Sequence, residues 1–182
     1  LFYSTITDFL GFDINEGEFK VMSLSSYGNP IYEKEMDEIF DCEEFKINSS
    51  YFEFQKNPER SFSEMLIKIF GKPYLNLSIK ENFQKYSNIA SSAQLILKKS
   101  VKNLILKAKH LTGKNKIVLT GGVALNCKMI HELSKKNIFE ELIVPPSPGD
   151  SGSAIGAANF SYFYENNKFL KNIGLFPGPD KE

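Results

Sequence analysis

The sequence has no tryptophan, only two cysteines and two histidines in 182 residues, and no excess of charge, with 22 basic side chains against 22 acidic ones. Each shortage closes a class of function. Cys42 and Cys127 are far apart and in no metal-ligand spacing, so they read as two reduced, partly buried thiols of a cytosolic protein. His110 and His131 are too few and too separated for a paired-histidine metal site. His110 suits the end of a long helix, where a cation meets the dipole, and His131 falls mid-helix; both read as structural. No Ser-His-Asp or Cys-His arrangement can be assembled. Zero net charge argues against a broad electrostatic footprint for nucleic acid or an anionic membrane. No apolar run reaches the length of a membrane span. The opening Leu-Phe-Tyr-Ser-Thr-Ile has neither a basic n-region nor a cleavage site, so no secretory signal and a cytoplasmic location are expected. It also lacks an initiating Met and begins in what reads as the middle of a helix, which suggests a piece of a longer protein. The missing tryptophan and the 16 phenylalanines reflect a biased genome more than a function.

What is present is ordinary globular composition, 42% hydrophobic and 24% charged, in a length that suits a single domain or one large lobe with a sizeable core. Phe2, Ile6, Phe9 and Leu10 have helical spacing that Gly11 ends. Short helices are predicted from Asn15 and Glu16 to Leu24 and from Tyr32 to Phe40. Strands are predicted over Phe45 to Ile47 and Tyr51 to Phe54, with Asn48-Ser49-Ser50 as their turn. Ser61 to Phe70 reads as a helix with Ser61 as N-cap and Glu64 at the capping-box position. Asn82 to Lys109 carries the longest signal, an apolar stripe at intervals of three and four, with Lys98, Lys99, Lys102, Lys107 and Lys109 largely off it as a solvated face. Lys116 to Leu119 is a short buried strand, Val123 to Lys136 a helix, Leu142 to Val144 a strand, and Ser151 to Tyr164 a last helix rich in small residues. That alternation indicates a layered α/β unit.

Two turns in this unit bear chemistry. Thr120-Gly121-Gly122 follows a strand and opens a helix, so backbone N–H groups are left free and no Cβ blocks the approach of a phosphate. The same pattern also serves a plain tight turn, and it lacks the Lys and spacing of a P-loop. Asn126, one turn into the helix, is placed either to reach a ligand at the helix start or to make a local hydrogen bond. Gly149-Asp150-Ser151-Gly152 repeats the design. Asp150 is either a simple N-cap or a carboxylate able to hold a divalent metal beside nucleotide phosphates. If the strands are neighbours, both turns face one crevice, where open α/β sheets bind ligands. Gly152, Ala154, Gly156, Ala157 and Ala158 keep one face of the last helix thin, which allows close packing or the close approach of a nucleotide. Glu16, Glu18, Glu43, Glu44, Glu140 and Glu141 read as solvated charges.

Leu119-Thr120-Gly121-Gly122-Val123-Ala124-Leu125-Asn126-Cys127 and Val144-Pro145-Pro146-Ser147-Pro148-Gly149-Asp150-Ser151-Gly152, continuing through Ala154-Ile155-Gly156-Ala157-Ala158, resemble the NodU/CmcH/TobZ carbamoyltransferases. So do Phe2-Tyr3-Ser4, Leu10-Gly11-Phe12, Asn15-Glu16-Gly17-Glu18-Phe19-Lys20-Val21-Met22 and Tyr27-Gly28. The resemblance implies an α/β fold of the actin-like ATPase (ribonuclease H-like) kind, with a mixed sheet flanked by helices. Residues 1–182 would be one lobe, the second half of that domain. The first half would lie upstream, and a YrdC-like domain would begin beyond Gly178-Pro179-Asp180-Lys181-Glu182. The implied reaction moves a carbamoyl group from carbamoyl adenylate, made from carbamoyl phosphate and ATP, to a hydroxyl of a sugar or natural product.

By the same match Gly121, Gly122, Val123, Asn126, Gly149, Ser151 and Gly152 would hold the nucleotide. Asp150 would bind a divalent metal, iron or magnesium, whose paired histidines would lie upstream of Leu1. Ile130 stands where the family often has Asn, which removes a polar contact near the nucleotide. The 182 residues alone are expected to bind ATP weakly and not to catalyse transfer. Alternatives are a relative of the ATPase of tRNA threonylcarbamoyladenosine synthesis, or a non-catalytic nucleotide-binding module. Apolar surface left by a missing half would favour self-association as a homodimer.

Overall fold

The computed structural model describes residues 1–74 and 79–169; the expected domain boundary at Gly178 to Glu182 lies outside them. In chain order the elements are α1 (Phe2–Phe9), α2 (Glu18–Leu24), α3 (Glu33–Ile39), β1 (Phe40–Asp41), β2 (Lys46–Ile47), α4 (Glu64–Phe70), α5 (Ile79–Thr112), β3 (Lys116–Val118), α6 (Cys127–Ser134), β4 (Glu141–Ile143) and α7 (Gly152–Asn166), with 3-10 turns at Ser49–Tyr51 and Gly122–Leu125. The result is a mostly helical α/β arrangement.

The apolar stripe of α5 is long enough to serve two cores. Tyr86, Ile89, Ala90, Ala93 and Ile96 are buried with Phe2, Ile6, Phe9, Met36, Leu66 and Phe70 from the helices before it. Ile105, with Leu97 and Val101, packs on Met129 and Leu133 of α6 and on Ile117 and Leu142 of β3 and β4. Small residues on α5 let the chain after α2 come unusually close: a Cβ on Gly28 would sit 2.0 Å from the Ser87 carbonyl oxygen. Ile130, the departure from the family pattern, belongs to the second core. Its apolar side chain is explained by packing there.

Several expectations change on contact with the structure. The single mixed sheet is not formed among the described residues; there are instead two separate two-stranded sheets, antiparallel β1–β2 and parallel β3–β4. The early hairpin pairs Phe40 with Ile47 rather than joining residues 45–47 to 51–54. Its cause is local. The Asp41 carboxylate accepts from the N–H groups of Glu43 and Glu44, and Phe45 takes a φ of +55°, so the chain turns there. Asn48 then caps a 3-10 turn, and Phe52 alone bridges to Phe62. The N-cap of α4 is Ser63, which accepts from Met65 N–H; Ser61 is held instead by Asp8. The lysines of α5 are not one solvated face. Lys98 pairs with Glu132, Lys99 with Glu33, and Lys109 donates to the Ile138 carbonyl, so three of them fasten α5 to its neighbours. Beyond Gly152, the thin face of α7 is open among the described residues: the helix buries no residue, and a Cβ on Gly156 would have no neighbour within 4 Å.

Candidate functional site

The two glycine turns end neighbouring strands. β3 and β4 are parallel with Ile117 opposite Leu142, and the turns that leave them are stitched together by Gly121 N–H donating to the Pro148 carbonyl at 2.7 Å. Gly121 has a φ of +89°, which an L side chain adopts only with strain, so glycine is required for the turn. Its amide is thus committed to the neighbouring loop and is not available to a phosphate. Gly122 opens the 3-10 turn with open space where a Cβ would be. The expected helix from Val123 is therefore delayed, and α6 begins only at Cys127 with Asn126 as its N-cap.

A pocket of about 500 Å³ lies where these turns meet the N-terminal helices, within the range of small-molecule sites. It gathers Gly122, Val123, Asn126, Gly149 and Asp150 of the expected site. Gly121, Ser151 and Gly152 do not line it. Ser151 is the N-cap of α7, with its hydroxyl 2.6 Å from that of Ser147, so Asp150 is not the cap. Gly152 is a packing glycine: a Cβ there would lie 2.2 Å from the Ser147 carbonyl oxygen.

The opposite wall comes from α1 and α2. Tyr3, Asn15, Glu16, Glu18, Phe19 and Met22 line it. Composition gave Glu16 and Glu18 no role beyond solvated charge, although both fall in one of the motifs that carry the resemblance. Glu18 accepts from the Asn15 N–H at 3.0 Å, which fixes the entry to α2. The Lys128 ammonium donates to the hydroxyls of Ser25 and Ser26 at 2.9 and 3.2 Å and ties the end of α2 to α6. Burial, and then the charge of Lys98, hold the Lys128 ammonium below its usual range. Cys127 lies 3.8 Å from the Met22 sulfur at the same seam. That thiol is exposed while Cys42 is buried, so only one of the two is partly or wholly covered as expected.

Tyr3 and Asn126 of the lining belong to a polar network that extends to the buried Gln94. The Tyr3 hydroxyl donates to Gln94 Oε1 at 2.8 Å, and Gln94 exchanges two hydrogen bonds with Asn126, at 2.9 and 3.0 Å. Burial pushes the Tyr3 hydroxyl well above the usual tyrosine range, so it stays protonated and donates. Gln94 stands on the long helix with no motif around it, and no sequence signal could have found it.

The lining residues supply three carboxylates, Glu16, Glu18 and Asp150, and no lysine or arginine. Among the described residues no three His, Cys, Asp or Glu side chains gather as a metal site. The donors present therefore do not fit a complete metal centre. His110 and His131 end α5 and α6, away from this role. No described helix is long and apolar enough to cross a membrane.

Helical walls and two strand-to-helix glycine turns meet around one pocket of an α/β unit, and comparison with known proteins gives it a family. Residues 1–159 match the carbamoyltransferase N-terminus family, and the chain belongs to it. It is 32% identical over 184 residues to an uncharacterized protein of Synechocystis sp., covering 99% of this chain and 29% of that protein. It is 28% identical to nodulation protein NolNO of Sinorhizobium fredii, covering 87% of this chain and 22% of the relative. It is 32% identical over 108 residues to nodulation protein U of Bradyrhizobium diazoefficiens, covering 59% of this chain and 19% of that protein. The chain thus spans less than a third of the length of these relatives.

Proposed function

We propose that this chain forms the nucleotide-facing part of an O-carbamoyltransferase, in which a carbamoyl group passes from carbamoyl adenylate, made from carbamoyl phosphate and ATP, to a hydroxyl of a sugar or natural product. The observation that carries the reading is the meeting of both glycine turns with α1 and α2 around one pocket. Its apolar lining, from Leu1, Phe19, Met22, Leu97, Val123 and Leu125, suits a nucleoside base. Glu16 and Glu18 suit hydroxyl donors such as those of ribose. The lining carboxylates repel phosphate, so the phosphate end needs positive charge from beyond the lining. A divalent cation, iron or magnesium, with Asp150 as one ligand would provide it; the remaining ligands, paired histidines, belong to sequence upstream. The rest of the reaction needs positioning more than covalent help, because a carbamoyl phosphoric anhydride is already activated.

On this reading the fold is one lobe of an actin-like ATPase domain, completed by its first half and a YrdC-like domain. A relative of the tRNA threonylcarbamoyladenosine ATPase would place the same pocket over a different acceptor; the family match favours carbamoyl transfer. The test is carbamoyl transfer by the full gene product, read by mass with ATP, carbamoyl phosphate and candidate sugars. Asp150→Ala is expected to abolish it while leaving the fold intact, because Asp150 is not the cap of α7. Unchanged turnover would refute the metal role.

A further inference from the structure

Lys98, Lys99 and Lys116 each meet a carboxylate, of Glu132, Glu33 and Glu141 respectively. Lys128 does not. Its half-buried ammonium donates to the Ser25 and Ser26 hydroxyls at 2.9 and 3.2 Å, and no described carboxylate lies within ion-pair distance of it. The two hydroxyls are not equivalent. Ser25 is 2% exposed and already donates to the Met22 carbonyl at 2.6 Å, so toward Lys128 it only accepts. Ser26 is exposed, and its own hydrogen has no described acceptor.

The charged groups that act on the amine are Lys98 on α5 and Glu132 on α6; the end of α2 presents only the two serines. Burial comes first in holding the Lys128 ammonium below its usual range, and the charge of Lys98 outweighs the opposing pull of Glu132. The local field therefore disfavours an ammonium and favours an anion at the end of the same side chain. On the Ser26 side such an anion stays open to water.

We infer that Lys128 is a site of reversible carbamylation, at which dissolved carbon dioxide adds to the side-chain amine and the carbamate rests between Ser25 and Ser26 under the charge of Lys98. The ammonium first gives one proton to water. The freed lone pair on Nζ attacks the carbon of carbon dioxide, one C=O electron pair moves onto oxygen, and a second proton leaves Nζ for water. One C–N bond forms, nothing is oxidised or reduced, and the reverse reaction restores the amine. The hydrogen left on Nζ still donates to Ser25 Oγ. The Ser26 hydroxyl turns its idle hydrogen to a carbamate oxygen. The tie between α2 and α6 thereby exchanges a positive charge for a negative one. The site is separate from the pocket, which neither Lys128 nor either serine lines.

The experiment equilibrates the full gene product with isotope-labelled carbon dioxide at fixed dissolved concentration, from about pH 6 to 9, below the ordinary lysine range. A trialkyloxonium salt then alkylates the carbamate oxygen, and the stable product is located by peptide mass spectrometry. Lys128 is expected to carry the label, with occupancy rising as pH rises. Its occupancy should exceed that of Lys99 and Lys116 severalfold, because their carboxylate partners hold both above the usual lysine range. Ser26→Ala is expected to lower the occupancy severalfold and Ser26→Thr to retain it; Ser26 is exposed, so neither change threatens the fold. Lys98→Met, checked for folding by circular dichroism, should also lower it, because Glu132 then acts on Lys128 unopposed. No label at Lys128, or no more there than at Lys99 and Lys116, overturns the inference. So does full occupancy in Ser26→Ala, or in a folded Lys98→Met.

Discussion

Gly152→Ala sets two physical effects against each other. Gly152 opens α7 without a positive φ, so alanine can adopt its backbone conformation. Helix propensity alone would favour alanine by up to about 1 kcal/mol. Sterics oppose it: the new Cβ would lie 2.2 Å from the Ser147 carbonyl oxygen. Ordinary carbon–oxygen contacts are no closer than about 3.3 Å, so something must move by roughly 1 Å. The obstacle is backbone, in a segment stiffened by Pro145, Pro146 and Pro148. It is also held by Gly121 N–H on Pro148 at 2.7 Å and Gly152 N–H on Gly149 at 2.9 Å. Overpacking of this kind costs about 1–3 kcal/mol, which outweighs the propensity gain.

The expected result is a fall in melting temperature of roughly 2–8 °C, read by far-UV circular dichroism. Hydrogen exchange at the Gly121 amide is expected to speed by about tenfold, because the moving loop takes its acceptor away. Gly156→Ala is the control, with nothing within 4 Å of the added Cβ. It is expected to raise the melting temperature by roughly 2–4 °C from propensity alone. If Gly152→Ala melts at or above the unsubstituted chain and Gly121 stays protected, the rigid contact between Ser147 and Gly152 is wrong.

Asp8 accepts from the Ser61 N–H at 2.6 Å and the Ser61 hydroxyl at 2.5 Å, so Asp8→Ala strands two groups on a buried residue and is expected to cost about 2–3 kcal/mol in chemical denaturation. Asp8→Asn keeps an acceptor and should lose about half as much; no loss at all in Asp8→Asn would show that the charge contributes nothing. Thiol labelling at neutral pH is expected to modify Cys127 alone, because burial holds Cys42 above its usual range and keeps it as the neutral thiol. Its thiolate fraction in the folded chain grows only as pH rises past that raised value. Two fast-reacting thiols in the folded chain would contradict the burial of Cys42.

The sequence made the elements legible wherever one periodicity ran undisturbed. The stripe from Phe83 to Ala108 predicted α5, and the change of rhythm after Lys116 predicted β3, α6, β4 and α7 in order. It failed where a single side chain redirected the backbone. The Asp41 carboxylate moves the hairpin, Asp8 removes Ser61 from capping duty, and Asn126 delays α6 by capping it. Each is a side-chain hydrogen bond whose partner depends on where the chain is already going, and the one from Ser61 to Asp8 spans 53 residues. A pattern of hydrophobic spacing carries no information about it. The site was half legible for the same reason. Glycine turns announce themselves because their conformation restricts residue choice, whereas Gln94 is one glutamine on a long helix.

Gly121, Gly122, Asn126, Gly149 and Gly152 looked alike in the sequence as one nucleotide motif, yet they do different physical work. Gly121 supplies a backbone conformation, Gly152 supplies clearance for a proline-rich loop, and Asn126 caps a helix while pairing with Gln94. Gly122 and Gly149 are the ones left beside open pocket space or ordinary contact. If ligand contact alone explained the motif, every one of these positions would have to line the pocket. The structure instead divides the motif into residues that shape the turns and residues that face what the turns enclose. Substitutions at Gly121, Gly152 and Asn126 should therefore register first in stability, and those at Gly122 and Gly149 in what the pocket accepts.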